Sequence, residues 1–270
     1  MTVGSMRDTL TRTARRFLSD NMIRAVKDAE QAIHRKLNPV PWNSLRRRDP
    51  IARGFGYRRG KSVDRYYVEK FLADNRSDIR GSVLEIASPD YTQHFGGDQV
   101  TKSDVLHVVE GNPQATFVGD LTTGEGIPSE AFDCFILTET LSTIYDTKAA
   151  IRGAYAALKP GGVLLVTVSG ISQISQYDMH RWGDYWRFTS LSVQRLFEEV
   201  FPPSHLTINA YGNVTSAVAL LLGLVVQDLT TEELDHWDPD YEVTVTARAV
   251  KPNPGGDARR EPTISNCDNT

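Results

Sequence analysis

The sequence has few cysteines and no long apolar segment, and both absences exclude classes of protein. It contains two cysteines, Cys134 and Cys267, and the second lies in a polar tail. This pair supports neither a disulfide framework nor a cysteine metal site. The most apolar run, residues 217–226, is far shorter than the roughly 18 residues that span a bilayer. The N-terminus has no apolar signal-peptide region. We therefore expect a cytoplasmic protein with no membrane span.

Positive charge is concentrated in the N-terminal quarter of the chain. Residues 1–65 hold 16 of the 30 lysines and arginines but 6 of the 34 acidic residues, a net charge of +10 that leaves −14 for the rest. This asymmetry indicates a segment that meets an anion or docks on the acidic remainder, unless it is an ordinary solvated face of surface helices. The arginines are not interleaved with aromatic residues, so we do not expect a nucleic-acid partner.

The spacing of apolar residues changes along the chain and predicts its organisation. Residues 6–37 keep helical spacing, and residues 38–60 form a connector rich in proline and glycine. A second helix follows, with Val63, Tyr67 and Phe71 on one face. We interpret the first 60 residues as a basic N-terminal helical cap and connector.

From residue 82 onward the pattern alternates between strands and helices. The fourth strand is almost wholly apolar, as expected for a central parallel strand, and the last strand alternates as a half-exposed one does. Residues 251–270 have almost no apolar content and are predicted to be a disordered tail. The alternation predicts an α/β fold with a doubly wound, Rossmann-like, mostly parallel sheet. The predicted strands are 82–87, 103–106, 115–121, 132–138, 163–169, 205–212 and 241–250, with helices around 151–158, 190–201 and 214–227.

Acidic residues fall at or just after four of the predicted strands. Glu85, Asp104, Asp120 and Glu139 hold these positions. Ligands of doubly wound sheets bind outside the carboxyl ends of the strands, and an acidic residue about 20 positions after the first strand commonly accepts hydrogen bonds from a ribose. Each residue alone is equally an ordinary surface acid, but their joint placement predicts a nucleotide-containing ligand.

Five segments resemble the ordered motifs of class I S-adenosylmethionine-dependent methyltransferases. They are "SVLEIASPDY", "SDVL", "VGDL", "FDCFILTETLSTIY" and "ALKPGGVLLVTVSG", and the resemblance covers about residues 60–250. It implies a seven-stranded sheet with an antiparallel last strand, with S-adenosyl-L-methionine as cofactor. We therefore interpret residues 61–250 as a methyltransferase domain and 251–270 as its tail.

The resemblance also implies which residues bind the cofactor. Glu85 belongs to the first motif, Asp104 matches the ribose acid, Asp120 the adenine-side acid, and Thr138 and Glu139 the segment under the methionine moiety. The predicted cofactor-binding residues are Arg59, Tyr66, Glu85, Ala87, Ser88, Pro89, Asp104, Val105, Asp120, Leu121 and Thr138.

The first motif departs from the family pattern. The family has glycines where this chain has Ala87 and Pro89. Glycine suits such a turn because it lacks a Cβ and tolerates a positive φ. S-adenosylmethionine has no pyrophosphate, so we expect a small residue and a preset proline turn to suffice. The alternative is a non-catalytic methyltransferase-like scaffold.

Two further segments resemble methyltransferases of sugar and polysaccharide modification. They are "RGKSVDRYYVEKFL" (59–72) and "YDMHRWGDYWRFTS" (177–190). Aromatic faces beside carboxylates and arginines suit sugars, although the aromatics are alternatively anchors of a loop. Glu139 is the first candidate for a catalytic base and His180 the second. The predicted substrate-binding residues are Asp178, Trp182, Tyr185, Trp186 and Arg187.

These features predict an O-methyltransferase acting on a sugar hydroxyl of a glycan, oligosaccharide or sugar intermediate. The narrowest prediction is methylation of a methylmannose polysaccharide. The alternative is a natural-product methyltransferase acting on an amino sugar or a phenol. No metal-ligand spacing is present, so Mg²⁺ is a subordinate alternative in which Asp178 and Glu139 would bind it. The N-terminal helices are predicted either to cap the site or to form a homodimer contact.

Overall fold

The computed structural model describes residues 20–37 and 46–254, which fall into two compact units divided between Arg48 and Asp49. The described part of the first unit consists of helix α1 (Asp20–Leu37) and residues 46–48. The predicted N-terminal helix is confirmed there, and its residues 6–19 lie outside the described residues. Along α1, Met22, Val26 and Ile33 recur at helical spacing and are exposed.

The second unit is built on a seven-stranded sheet with the order β3-β2-β1-β4-β5-β7-β6. Strand β7 runs antiparallel to both of its neighbours, and the other pairs are parallel. The predicted sheet is therefore confirmed, including its antiparallel last strand. The strands are β1 (Gly81–Ile86), β2 (Val100–His107), β3 (Phe117–Val118), β4 (Phe132–Thr138), β5 (Leu158–Ser169), β6 (Leu206–Tyr211) and β7 (Thr244–Val250).

Helices cover both faces of the sheet. One face packs against α3 and α5, with Phe135, Ile151 and Phe197 in the same buried cluster. The other packs against α2, where Phe71 lies with Ile136. Successive residues of β4 thus enter opposite layers, which explains why this strand is apolar throughout. The helices are α2 (Val63–Asp74), α3 (Thr147–Ala157), α4 (Gln176–Met179), α5 (Ser190–Glu198), α6 (Val214–Leu222) and α7 (Thr231–Asp235).

Several element boundaries differ from the sequence prediction for identifiable reasons. The prediction of a half-exposed last strand is wrong, because β7 lies between β5 and β6 and Thr244–Ala247 are buried. Helix α6 ends five residues earlier than predicted, because Gly223 takes a left-handed conformation that closes it. Lys251, assigned to the tail, is buried, and its ammonium group donates to the carbonyl of Leu158 at 2.8 Å.

Among the described residues, no helix has the length and apolar character needed to cross a membrane.

The second unit begins at Asp49 rather than at residue 61. Residues of the predicted connector pack on it, since the backbone N–H groups of Ile51 and Ala52 both donate to the carbonyl of Leu222. The division at residue 60 stays a prediction.

Candidate active site

A polar pocket opens at the carboxyl ends of β4 and β5. It encloses about 450 Å³, including its open mouth. Its walls come from the segment before and within α2, from the loop after β4, and from the connection between β5 and α5 (residues 170–189). The lining residues are Phe55, Tyr57, Asp64, Arg65, Glu139, Ser142, Thr143, Ser169, Ser172, Ser175, Asp178, Asp184 and Arg187.

Glu139 places a carboxylate in this pocket directly after β4. Its oxygens accept hydrogen bonds from the hydroxyls of Thr167 at 3.0 Å and Ser169 at 2.6 Å, both on β5. Its backbone has a φ of 49°, in the left-handed region that glutamate rarely adopts. The N–H of Glu139 donates to the carbonyl of Thr167, which holds this conformation. Non-glycine residues in this region concentrate at functional sites, because the surrounding structure must stabilise them.

The pKa of Glu139 is raised, chiefly by burial and then by the negative charge of Asp64. The hydrogen bonds from Ser169 and Thr167 act in the opposite direction but do not cancel the shift. A carboxyl group with a raised pKa is a better proton acceptor once ionised, as a general base requires. The raised pKa of Glu139 therefore suits its carboxylate to accept a proton.

Arg65 provides positive charge in the pocket. It follows Asp64 in the first turn of α2, and its guanidinium donates to the hydroxyl of Tyr91 at 2.9 Å. The carboxylate of Asp64 accepts from the hydroxyl of Ser62 and from the backbone N–H of Arg65. Arg65 and Asp64, from α2, therefore line the same pocket as Glu139, from the loop after β4.

Arg59 and Tyr66, which were predicted to bind the cofactor, are not among the residues that line this pocket. Arg59 instead pairs with Asp228, whose two carboxylate oxygens lie 2.9 and 3.0 Å from the same guanidinium nitrogen. Tyr66 donates to Asp235 at 2.8 Å. Tyr66 is one residue beyond Arg65, and one residue rotates a helical side chain by about 100°, which carries it to another face.

The turn after β1 adopts the backbone of the missing glycine. Ala87 has a φ of 67° and is exposed at the sheet edge. Its N–H donates to the carbonyl of Leu106 and its own carbonyl accepts from Asn112 at 2.7 Å. The Ser88 hydroxyl donates to Asp90 at 2.9 Å, and Pro89 accepts from Gln93 through its carbonyl. The turn is thus preset by local hydrogen bonds.

Glu85 supports this turn from below. It is buried, and its carboxylate accepts from the backbone N–H groups of Tyr91 and Thr92 at 3.0 and 2.7 Å and from the Thr92 hydroxyl at 2.7 Å. Burial raises its pKa, although these hydrogen bonds lower it in part. Because its oxygens are engaged with the loop, Glu85 positions the first motif from within the protein.

The other predicted cofactor residues are dispersed. Asp104 lies inside β2, beside Leu84 in the register, and is buried with its carboxylate 2.8 Å from the ammonium of Lys102. The predicted strand began at residue 103, but β2 extends to His107, so the strand end lies beyond Asp104. The structure does not bring Asp104 into the pocket. Val105 and Leu121 are buried in the interior.

Asp120 and Thr138 lie at the predicted edge of the sheet. Asp120 follows β3, and one of its carboxylate oxygens accepts from the N–H and hydroxyl of Thr122, both at 2.7 Å. Thr138 is the last residue of β4, and its carbonyl accepts from the Thr140 hydroxyl. Both positions agree with the strand-end placement expected from the sequence.

The β5–α5 connection is held over the pocket by an ion pair. Arg187 contacts Asp184 at 2.6 and 2.9 Å, and Asp184 also accepts from the N–H of Ser175. Burial alone would raise the pKa of Asp184, but the hydrogen bonds from Arg187 and Ser175 lower it. Arg187 additionally donates to the carbonyl of Gln173. Asp184 was not among the predicted site residues, yet its pairing with Arg187 shapes this wall.

The same connection reaches across the sheet edge. The ring of Trp182 contacts His107, at the end of β2, with ring centres 5.4 Å apart. Since β1 and β4 separate β2 from β5, the connection crosses the carboxyl ends of both. Asp178 lines the pocket, whereas His180 is exposed and is not among the lining residues. Of the two residues predicted as a catalytic base, Glu139 lines the pocket and His180 does not.

Tyr185 and Trp186 lie beside the pocket and are exposed. The backbone N–H of Tyr185 donates to the carbonyl of Ser142 at 2.8 Å, and the indole N–H of Trp186 donates to the carbonyl of Tyr145 at 3.2 Å. These bonds attach the β5–α5 connection to the loop after β4.

Among the residues that the structure describes, no cluster of three or more acidic, histidine or cysteine side chains could hold a metal.

Comparisons with known proteins identify the domain. Residues 81–166 match the sequence profile of a methyltransferase domain. No curated protein sequence matches the chain.

Three solved structures illustrate the similarities of fold. A SAM-dependent methyltransferase from Archaeoglobus fulgidus has 11% identity and a TM-score of 0.46, over 72% of this chain and 96% of that one. The N-methyltransferase NodS from Bradyrhizobium japonicum WM9 has 18% identity and a TM-score of 0.44, over 71% and 97%. Phosphoethanolamine N-methyltransferase 2 from Haemonchus contortus has 15% identity and a TM-score of 0.45, over 68% and 52%. These similarities carry no argument about the acceptor of this chain.

The matched profile and the strand order define the class of protein. Residues 81–166 carry a methyltransferase domain, and the strand order agrees with the sheet that the resemblance to class I S-adenosylmethionine-dependent methyltransferases implies. The turn at Ala87 fits the cofactor that the resemblance implies, because its φ is positive and its short side chain is exposed at the carboxyl edge.

Proposed function

We propose that this protein methylates a hydroxyl group of a sugar. The observation that supports the proposal most directly is the composition of the pocket around Glu139. Apart from Phe55 and Tyr57, every lining residue is a serine, a threonine, a carboxylate or an arginine. A sugar presents many hydroxyls that donate to carboxylates and accept from arginines and hydroxyls, whereas a phenol presents one and needs an apolar wall.

Cofactor binding is assigned to the edge formed by β1, β3 and β4. The turn Ala87–Pro89 would lie against the cofactor through its backbone, with Asp120 and Thr138 as polar contacts. Arg65 lines this pocket together with Glu139, and its positive charge acts on that carboxylate, so it would hold an anionic group such as the methionine carboxylate. When bound, S-adenosylmethionine supplies a methyl group on a sulfonium, which a nucleophile displaces in line.

The chain contributes orientation and proton transfer to this reaction. Asp178, Asp184 and the serines would position the acceptor by hydrogen bonds, so that one hydroxyl oxygen meets the methyl carbon. Glu139 would accept the proton of that hydroxyl as the hydroxyl oxygen bonds to the methyl carbon and the bond from that carbon to sulfur breaks. The β5–α5 connection would shield this site, because it crosses the strand ends as far as His107.

A methyl-transfer screen tests the proposal. Purified protein would be incubated with labelled S-adenosylmethionine and separate acceptors: methyl glycosides of neutral hexoses, their oligosaccharides, amino sugars and phenols. Each would be run with and without Mg²⁺ or a chelator. We expect transfer to a neutral sugar that does not need metal. Transfer confined to amino sugars or phenols would overturn the acceptor assignment and favour the natural-product alternative.

A further inference from the structure

Three aromatic side chains form an exposed surface beside the pocket, which we call the aromatic platform (Tyr145, Tyr185 and Trp186). Their exposed fractions are 70%, 51% and 39%. Exposed apolar side chains that cluster at the mouth of a pocket mark a binding surface more often than scattered ones do. The sequence had indicated Tyr185 and Trp186 as substrate-binding residues, whereas Tyr145 lies in a different loop, at the end of the segment "FDCFILTETLSTIY", and was assigned no role.

The platform is held in place by contacts among its own members. Tyr145 stacks on Trp186 with ring centres 5.7 Å apart and meets Tyr185 edge-on at 5.4 Å. The indole hydrogen bond to the carbonyl of Tyr145 fixes the Trp186 ring. Because the rings are already ordered, a ligand that stacks on them loses little side-chain entropy on binding.

The platform is continuous with the pocket. Ser142 and Thr143 line the pocket two or three residues before Tyr145, and Asp184 and Arg187 line it on either side of the other two platform residues. The same two loops therefore present polar groups inward and aromatic rings outward. A ligand in the pocket that extends through the mouth meets the platform next.

We propose that the platform binds the sugar ring adjacent to the one that is methylated, so that the acceptor is an oligosaccharide or longer glycan. This inference rests on the proposed sugar methylation. A pyranose ring has an apolar face of C–H groups, which packs on aromatic rings, and hydroxyls at its rim. The two tyrosine hydroxyls beside the rings offer partners for those rim hydroxyls.

The test uses matched acceptors of different length. Methyl pyranosides of mannose, glucose, galactose and rhamnose would be compared with the corresponding disaccharides, using wild type, Tyr145→Ala and Tyr145→Phe. Trp237→Ala serves as control, because this exposed tryptophan lies outside the pocket lining. We expect wild type to prefer a disaccharide by about tenfold in kcat/KM, which corresponds to about 1.4 kcal/mol.

Tyr145→Ala should abolish that preference by raising KM for the disaccharide, with a much smaller change on the monosaccharide. Tyr145→Phe, which keeps the ring and loses one hydroxyl, should keep most of the preference, and Trp237→Ala should keep all of it. Equal kcat/KM for both lengths in wild type, or an equal loss on both in Tyr145→Ala, would overturn the platform assignment.

A binding measurement separates this inference from the proposed function. Saturation-transfer NMR with the same disaccharides, in the presence of S-adenosylhomocysteine, reports contact whether or not methyl transfer occurs. Disaccharide binding that Tyr145→Ala removes supports the platform even if no sugar is methylated. Absence of disaccharide binding to wild type overturns it, and self-association that Tyr145→Ala abolishes would reassign the surface to a second copy of the chain.

Discussion

The strands β1 and β4 are both followed by a residue with a left-handed backbone, but the two residues have different roles. Both strands leave the sheet through a non-glycine residue with positive φ, Ala87 at 67° and Glu139 at 49°. At the end of β1, the carboxylate of Glu85 lies inside the protein and stabilises the turn by accepting hydrogen bonds from the backbone N–H groups of Tyr91 and Thr92. At β4 the left-handed residue itself carries the carboxylate and places it in the pocket. The end of β1 therefore positions the backbone of a turn, whereas the end of β4 positions the carboxylate of Glu139.

This difference predicts that substitutions at the two strand ends change different properties of the protein. Changes at β4 should affect the chemical step with little effect on folding. Changes at β1 should affect folding and cofactor affinity first, and the rate only through them.

The largest effect should come from Glu139→Gln. The amide keeps the shape and accepts one hydrogen bond, but it cannot accept a proton. We expect kcat to fall by about 10²- to 10⁴-fold, the range typical of a lost general base. Cofactor binding, measured by calorimetry with S-adenosylmethionine, should change little. Near-full activity in this variant would instead favour an amine acceptor, which needs no base once it is neutral.

The second effect concerns the β1 end. Glu85→Ala leaves the buried N–H groups of Tyr91 and Thr92 without their charged acceptor. We expect a loss of about 3 kcal/mol in the free energy of unfolding, since hydrogen bonds to charged groups contribute about 1.5–3 kcal/mol each. Chemical denaturation measures this. Thr92→Val, which removes the hydroxyl donor alone, is the matched milder variant. An unchanged midpoint in Glu85→Ala would contradict the supporting role.

The third effect is a shift in pH dependence. Asp64 raises the pKa of Glu139 through its negative charge, after burial. A base works when ionised, so kcat/KM should rise with pH through the pKa of Glu139, above the ordinary value for glutamate of about 4.3. Asp64→Asn lowers that pKa and should move the rising limb to lower pH. Asp74→Asn, at the far end of α2, is the control and should leave the limb in place. A shift in the opposite direction would contradict this electrostatic coupling.

The sequence predicted the sheet and the position of Glu139 well because both follow from periodic patterns. Strand ends are visible where apolar runs stop, and the fourth strand stops at Thr138. The start of β2 was predicted three residues late, because Thr101, Lys102 and Ser103 are polar and hide it, whereas its end at His107 was predicted within one residue. Asp104 therefore lies inside β2 rather than at its end, and apolar spacing located this strand's end more reliably than its start.

Other site residues depend on contacts that have no signature in the chain. Arg65 and Tyr66 are adjacent, and only the phase of α2 decides which of them enters the pocket. Asp184 lines the pocket through an ion pair with Arg187, and Tyr145 belongs to the platform because two loops meet. Tertiary packing sets these positions, and no local pattern records it.

The smallest effect should come from Ala87→Gly, which restores the residue type that the family has at this turn. Glycine relieves the strain of a left-handed alanine, which stabilises the folded state by about 1 kcal/mol. It also raises the conformational entropy of the unfolded chain, which lowers the free energy of unfolding by about 0.4–1 kcal/mol. The two terms nearly cancel, so we expect a change in unfolding free energy below about 0.5 kcal/mol. Ala87→Val is the matched contrast, since a β-branched residue is strongly disfavoured at positive φ. If the hydrogen bonds of the turn already preset its backbone, cofactor affinity in Ala87→Gly should stay within about twofold of wild type, roughly 0.4 kcal/mol. A gain of tenfold or more would show that the alanine methyl obstructs the cofactor.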